Sequence, residues 1–184
     1  NCRASFAWPA QFSPPMDLPQ TLARFVAASQ PHAIAEPAQD EAVRALVDWL
    51  ACCLGGCLDP ALDATRTEPD LAIDARRPPP PGRGGRSDLI STALDAATAS
   101  DALSFAAEHA PTGAQVAVPI CSALMPLAES RAVPGSALVH AYAIGAELTC
   151  RLARALRTTD RPLTPHAGTV CAGLACTGAP ARGP

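Results

Sequence analysis

Apolar residues recur at helical spacing in at least four separate stretches of this chain, and that periodicity restricts the fold more than any other feature. Asp17 can cap a first helix with Leu18 and Pro19 in its first turn, and Leu18, Leu22, Phe25 and Val26 then share one face. Beyond Pro37, the residues Val43, Leu46, Leu50, Cys53 and Leu54 repeat at the same spacing with Trp49 beside them, and Gly55-Gly56 ends the pattern. Ser87 offers an N-cap to a helix of about twenty residues whose apolar positions are Leu89, Ile90, Leu94, Leu103 and Phe105. Val116 to Val133 is apolar nearly all round, and its prolines predict a kinked, buried helix. From Ser136, the residues Leu138, Val139, Tyr142, Ile144, Gly145, Leu148 and Leu152 fill an inner face, and Glu147 is placed to pair with Arg151. A strand could hide in 69–76, where Leu71 and Ile73 alternate, and a last buried helix could open at Gly168 and stop at Gly178 and Pro180.

The expected fold is therefore all-α, a helical bundle. Residues 1–16 read as a flexible lead, 17–57 as N-terminal helices and 87–178 as the helical core segment, with 179–184 a tail. Between them, 58–86 carries Arg76-Arg77, four consecutive prolines from Pro78 and the glycines Gly82 to Gly85, and reads as a linker or long loop. Asn1 in place of Met and a Gly/Pro-rich end suggest a fragment or processed product. The long apolar faces of the Val116 and Ser136 helices are expected to await partners outside this chain and to leave an exposed patch.

Composition narrows the chemistry. All fourteen cationic residues are arginine, so a lysine Schiff base, a P-loop lysine and a lysine general base are absent from these 184 residues. A net charge of −3 and no basic block argue against nucleic acid or an anionic membrane surface as partner. His109 to Ala128 lacks Asp, Glu and Arg, but Pro111, Gly113, Gln115, Pro119 and Pro126 suit a buried protein segment better than a bilayer span. The eight cysteines sit in apolar segments without Cys-x-x-Cys pairs, which fits reduced, core-filling thiols in a cytoplasmic protein and no structural zinc. No cofactor or metal site is expected. His32 and His140 each read as a solvated or core-satisfied imidazole, and Arg83 and Arg86 as solubilising loop residues.

Four blocks in order resemble the MmgE/PrpD family of 2-methylcitrate dehydratase-like enzymes. Thr21 to Val26 followed by Ala42 to Leu50 is similar to the family's opening helices, which end in the small residues Leu54-Gly55-Gly56. Arg83 to Arg86 leads into Leu94 to Phe105, which has the spacing of the family's Asn-Gly-Thr-Ala-Ala-His-Ala-Leu-Asp-Phe-Asp-Asp signature. Val118-Pro119 through Arg131, with Gly135 to Leu138, resembles its proline-started helix and the turn after it. Tyr142 to Leu148, with Arg151-Leu152 beyond, resembles its Gly-Tyr-Glu-Val and Ala-Arg-Leu stretches. The resemblance covers roughly residues 20 to 175 and implies part of a larger all-helical domain, homodimers in the full-length context, and lyase or isomerase chemistry on small polycarboxylates without an iron–sulfur cluster. Reactions implied are dehydration of 2-methylcitrate, decarboxylation of cis-aconitate and epimerisation of iminodisuccinate.

Carried over by position, the resemblance puts the signature histidine at Asp101, its first aspartate at Ser104 and the two later acids at Ala106 and Ala107. A second family histidine falls on Thr112, with His109 three residues earlier. A third falls on Pro165, with His166 one residue later, and the family's catalytic lysine would lie beyond residue 184. The candidate catalytic residues are thus His166, Asp101, Ser104 and His109. Asp101 would accept a proton or orient an imidazole, Ser104 would hydrogen-bond a substrate carboxylate, and His166 or His109 would serve as acid or base. Ala106 and Ala107 can do neither, so the expected isolated chain is dehydratase-like by ancestry and inactive; the alternative is a non-catalytic helical fragment whose role is association. Any surviving site is expected where Ala99 to His109 meets the Pro165 to Thr169 loop.

Overall fold

A computed structural model describes residues 18–65, 81–83 and 88–156. Its elements in chain order are α1 (Leu18–Ala28), a single 3-10 turn (Pro31–Ala33), α2 (Glu36–Gly56), α3 (Ala61–Thr65), α4 (Leu89–Asp101), a hairpin of β1 (Glu108–His109) and β2 (Ala114–Gln115), α5 (Ala117–Arg131) and α6 (Gly135–Leu156). The fold is all-α, as the periodicity predicts. Among the described residues no helix is long and apolar enough to cross a membrane. The strand hint at 69–76, the helix expected from Gly168, the lead up to residue 16, the tail and His166 lie outside the described residues.

Helices α2, α4, α5 and α6 share one core, in which Ala42, Trp49, Cys53, Ala96, Ile120, Cys121, Leu124 and Tyr142 are buried together. Small residues allow the closest approaches. A Cβ on Gly56 would lie 2.1 Å from the Ala99 carbonyl oxygen, so α2 and α4 meet backbone to backbone there, and Gly145 of α6 lies directly against Ile120 of α5. The polar atoms taken inside are partnered: the Trp49 indole donates to Ser122 Oγ at 3.1 Å, and Cys53 donates to the Ala96 carbonyl at 3.4 Å. Helix α1 docks through Phe25 onto Ile144 and Leu148 of α6, with Leu22 and Val26 packed beside it, the face its sequence predicts.

Four expectations need correction. First, the cap of α4 is Asp88, whose carboxylate accepts from the backbone N–H groups of Ile90 and Ser91, and the helix stops after 13 residues at Asp101. Ser104 takes a left-handed conformation with φ +53°, which a continuing helix cannot hold, so Leu103 and Phe105 fall beyond the end. Second, α2 is turned by roughly a third of a turn from the expected face. Ala42, Trp49, Cys52, Cys53 and Gly56 are buried, while Val43, Leu50 and Leu54 are exposed. Third, α5 and α6 bury their apolar faces within the chain through Ile120, Cys121, Leu124, Tyr142, Ile144 and Leu148, and the exposed apolar surface lies on α2 and around α4 instead. Fourth, the stretch expected to be irregular after residue 57 holds α3, which Leu62 anchors fully buried. Arg83 ties the return of that stretch to the α2 terminus by donating to the Cys57 carbonyl and pairing with Asp63 at 2.9 Å.

Candidate functional site

The signature positions cluster at the C-terminal end of α4 and the hairpin that follows. Asp101 is the last residue of the helix and is exposed; its carbonyl accepts from the Ser104 N–H at 2.9 Å, closing the turn that the positive φ of Ser104 permits. Phe105 then projects into solvent with 74% of its surface exposed. The Asp101 carboxylate is held by Gln115 of β2, whose amide donates to Oδ1 at 3.0 Å. Sequence reasoning missed Gln115. Two-residue strands carry no alternation pattern that would have placed it opposite the helix end.

His109 sits in β1 and is turned elsewhere. The antiparallel register pairs Glu108 with Gln115 and His109 with the buried Ala114. Successive strand residues point to opposite faces, so the His109 ring and the Gln115 amide that holds Asp101 lie on different sides of the hairpin. The turn between the strands is tight: the N–H groups of Thr112 and Gly113 both donate to the His109 carbonyl, and Gly113 takes φ +68°. That turn brings Thr112 Oγ1 to 2.8 Å from His109 Nδ1. The imidazole is thereby hydrogen-bonded to Thr112, the residue at the position that the resemblance assigns to a family histidine.

Burial, with the Arg154 charge on α6 adding to it, holds the His109 imidazole below its ordinary pKa, and Glu147 opposes them. A half-buried, neutral imidazole is therefore the favoured form near neutral pH. Glu147 is engaged by Arg151, whose Nε donates to its carboxylate at 2.5 Å, the i,i+4 pair expected from the sequence. Of the four candidates, then, Asp101 and Ser104 share one turn, His109 faces Thr112 and α6 across the hairpin, and His166 lies outside the described residues. What the arrangement offers is one carboxylate already accepting a hydrogen bond, one exposed hydroxyl and one neutral imidazole directed away from both.

The thiols are separate from this cluster. Cys52, Cys53, Cys57, Cys121 and Cys150 are buried thiols outside any disulfide. Burial foremost pushes the Cys53 thiol up to about 12, which leaves it without nucleophilic thiolate at neutral pH. Among the described residues no three His, Cys, Asp or Glu side chains are grouped to hold a metal ion.

No curated protein and no solved structure matches the chain. The family model described as MmgE/PrpD N-terminal domain, in contrast, matches residues 20–182, which takes in the α4 signature, the hairpin and all six described helices but the first residues of α1. The chain belongs to the MmgE/PrpD family and represents its N-terminal domain.

Proposed function

We propose that this chain keeps the scaffold of a dehydratase-like lyase or isomerase while having lost its chemistry, so that it does not turn over 2-methylcitrate, cis-aconitate or iminodisuccinate. The observation that carries the reading is the state of the signature turn. Where the resemblance places a histidine and three acids stand Asp101, Ser104, Ala106 and Ala107, and the one ionisable group among them is tied to Gln115. Removing a carbon-bound proton or protonating a leaving hydroxyl needs a base or acid aimed at that atom, and each such group contributes roughly 10²-fold or more to the rate. Two alanines supply nothing, and Ser104 cannot act as an acid or base at neutral pH.

A second reading, residual dehydratase-like activity on a small polycarboxylate, draws on the tight turn that carries His109 to Thr112. Its neutral ring could accept a proton, and Arg154 of α6, whose charge bears on that ring, could meet a substrate carboxylate. The five buried thiols outside any disulfide support a reducing compartment, and with it a cytoplasmic placement.

Turnover of the three acids by the purified chain, followed by proton NMR, separates the readings. We expect no consumption of any of them. Consumption that His109→Ala abolishes would establish the second reading in place of the first.

A further inference from the structure

The outer face of α2 is a single row of side chains whose chemistry changes along its length. Val43, Val47, Leu50 and Leu54 follow one another at alternating helical steps, about 120° round the helix from the core-facing Ala42, Trp49, Cys53 and Gly56. They are 47, 62, 37 and 51% exposed, and Leu58 just past the helix is 80% exposed. Toward the N-terminus the same alternation continues through Asp40 and Glu36, both exposed. Neither carboxylate is in an ion pair among the described residues. The one arginine of α2, Arg44, lies off the row and is paired with Glu41 at 2.9 Å, so it does not neutralise them. The row thus opens with two unneutralised acids and goes on as four aliphatic residues.

We propose that this row binds an amphipathic helix of another protein, one with an aliphatic row of the same spacing and with arginine or lysine in its last turn, lying antiparallel to α2. Alternating steps of three and four are the seam by which one helix packs lengthwise along another, which makes the occupant a helix. Charge fixes its direction and chemistry. In the antiparallel setting the last turn of the occupant meets the first turn of α2, where Glu36 and Asp40 stand, and cations are most stable at that end of a helix because its unsatisfied carbonyls gather there. A second copy of the chain fits the row less well. Antiparallel pairing that matches Val47 with Leu50 leaves Glu36 and Asp40 beyond the other copy's aliphatic row with no cation to meet them, and parallel pairing sets each acid against its twin. An anionic lipid surface is repelled by the same two acids.

The four aliphatic side chains with Leu58 expose about 500 Å², so a helix seated on them would bury about 1,000 Å² over both partners, the low end for a specific interface. The complex is therefore reversible, and its charged end weakens with added salt. The proposal is independent of catalysis, and turnover of any acid would leave it untouched.

Fluorescence anisotropy with two labelled synthetic helices of about 21 residues, the length of α2, tests it on the full chain. Both peptides carry leucines at the spacing of the row; one has two arginines in its last turn and the other two glutamates. The arginine peptide binds saturably, and the glutamate peptide binds about tenfold more weakly. Val47→Glu weakens the arginine peptide by about tenfold or more, because it buries an unpaired charge in the seam. Asp40→Arg leaves the aliphatic row intact and abolishes the preference between the peptides. Both substituted sites are exposed, so neither variant should lower the melting temperature. Absence of saturable binding, equal affinity for the two peptides, binding indifferent to Val47→Glu, or a preference that survives Asp40→Arg would each overturn the proposal. So would a lower melting temperature for Val47→Glu, since the row would then be covered by another segment of the same chain, and so would a dimer in sedimentation that Val47→Glu dissolves, since a second copy would then be the occupant.

Discussion

Replacing Gly56 by alanine tests the closest approach in the fold. The new Cβ would stand 2.1 Å from the Ala99 carbonyl oxygen and 3.1 Å from Ala102 Cβ. The oxygen belongs to the backbone of α4 and cannot swing aside, so the two helices must separate by about 1 Å, a gap that forfeits a quarter to a half of the dispersion attraction of the atoms it opens. Those atoms include the fully buried pair Cys53 and Ala96 and the Cys53 hydrogen bond to the Ala96 carbonyl. Overpacking of this kind costs about 1–3 kcal/mol, and the helix preference of alanine over glycine returns less than about 1 kcal/mol in a last turn. The expected net loss is about 2 kcal/mol, or a fall in Tm of roughly 4–8 °C for a domain of this size. Gly55→Ala is the internal control. Its Cβ would meet only Leu103 Cδ1 at 2.9 Å, the end of a side chain that is partly exposed and able to move. Thermal unfolding followed by far-ultraviolet circular dichroism should therefore leave Gly55→Ala within about 1 kcal/mol of wild type. If Gly56→Ala melted with it, α2 and α4 would not meet backbone to backbone and the packing argument would fail.

Trp49→Phe keeps an aromatic ring in the core but strands the buried Ser122 hydroxyl and leaves a small cavity, so chemical denaturation should show a loss of about 2–3 kcal/mol. Ala132→Gly should stabilise by about 1 kcal/mol, because Ala132 ends α5 at φ +50°, where glycine has no Cβ penalty; no gain in denaturation midpoint would refute the left-handed cap. The depressed pKa of His109 means that the unfolded chain binds the proton more readily than the folded one. Its contribution is complete above the ordinary histidine pKa and is lost as pH falls through that value toward the folded one. Stability should thus drop on acidification below neutrality, and His109→Gln should flatten that part of the profile; an unchanged slope would place the titration elsewhere.

The sequence made the helices legible because periodicity reports burial over many residues at once, and the ranges of α1, α2, α5 and α6 follow from it. It misled where a single residue decides. Nothing in Ala102-Leu103-Ser104 forbids one more helical turn, so the end of α4 depended on Ser104 adopting a conformation that only the folded chain imposes. Side-chain size misled in α2. Large residues drew the expected face toward Val43, Leu50 and Leu54, whereas tight packing against α4 selects Ala42, Cys53 and Gly56. At the candidate site, Asp101, Ser104, Ala106 and Ala107 came from position alone, as what the resemblance implies. The Gln115 contact and the swing of His109 onto Thr112 could not, because both arise from a hairpin too short to leave a pattern.

The proposed loss of chemistry at the signature turn is a loss of the capacity to move a proton on carbon. Hydrogen exchange into the substrate measures that step directly and does not require turnover to be completed. The chain is incubated in deuterium oxide with 2-methylcitrate, cis-aconitate or iminodisuccinate, and the carbon-bound proton signals are followed by NMR. Exchange no faster than in buffer is expected for all three acids. Exchange above that background which Asp101→Asn or His109→Ala removes would contradict it.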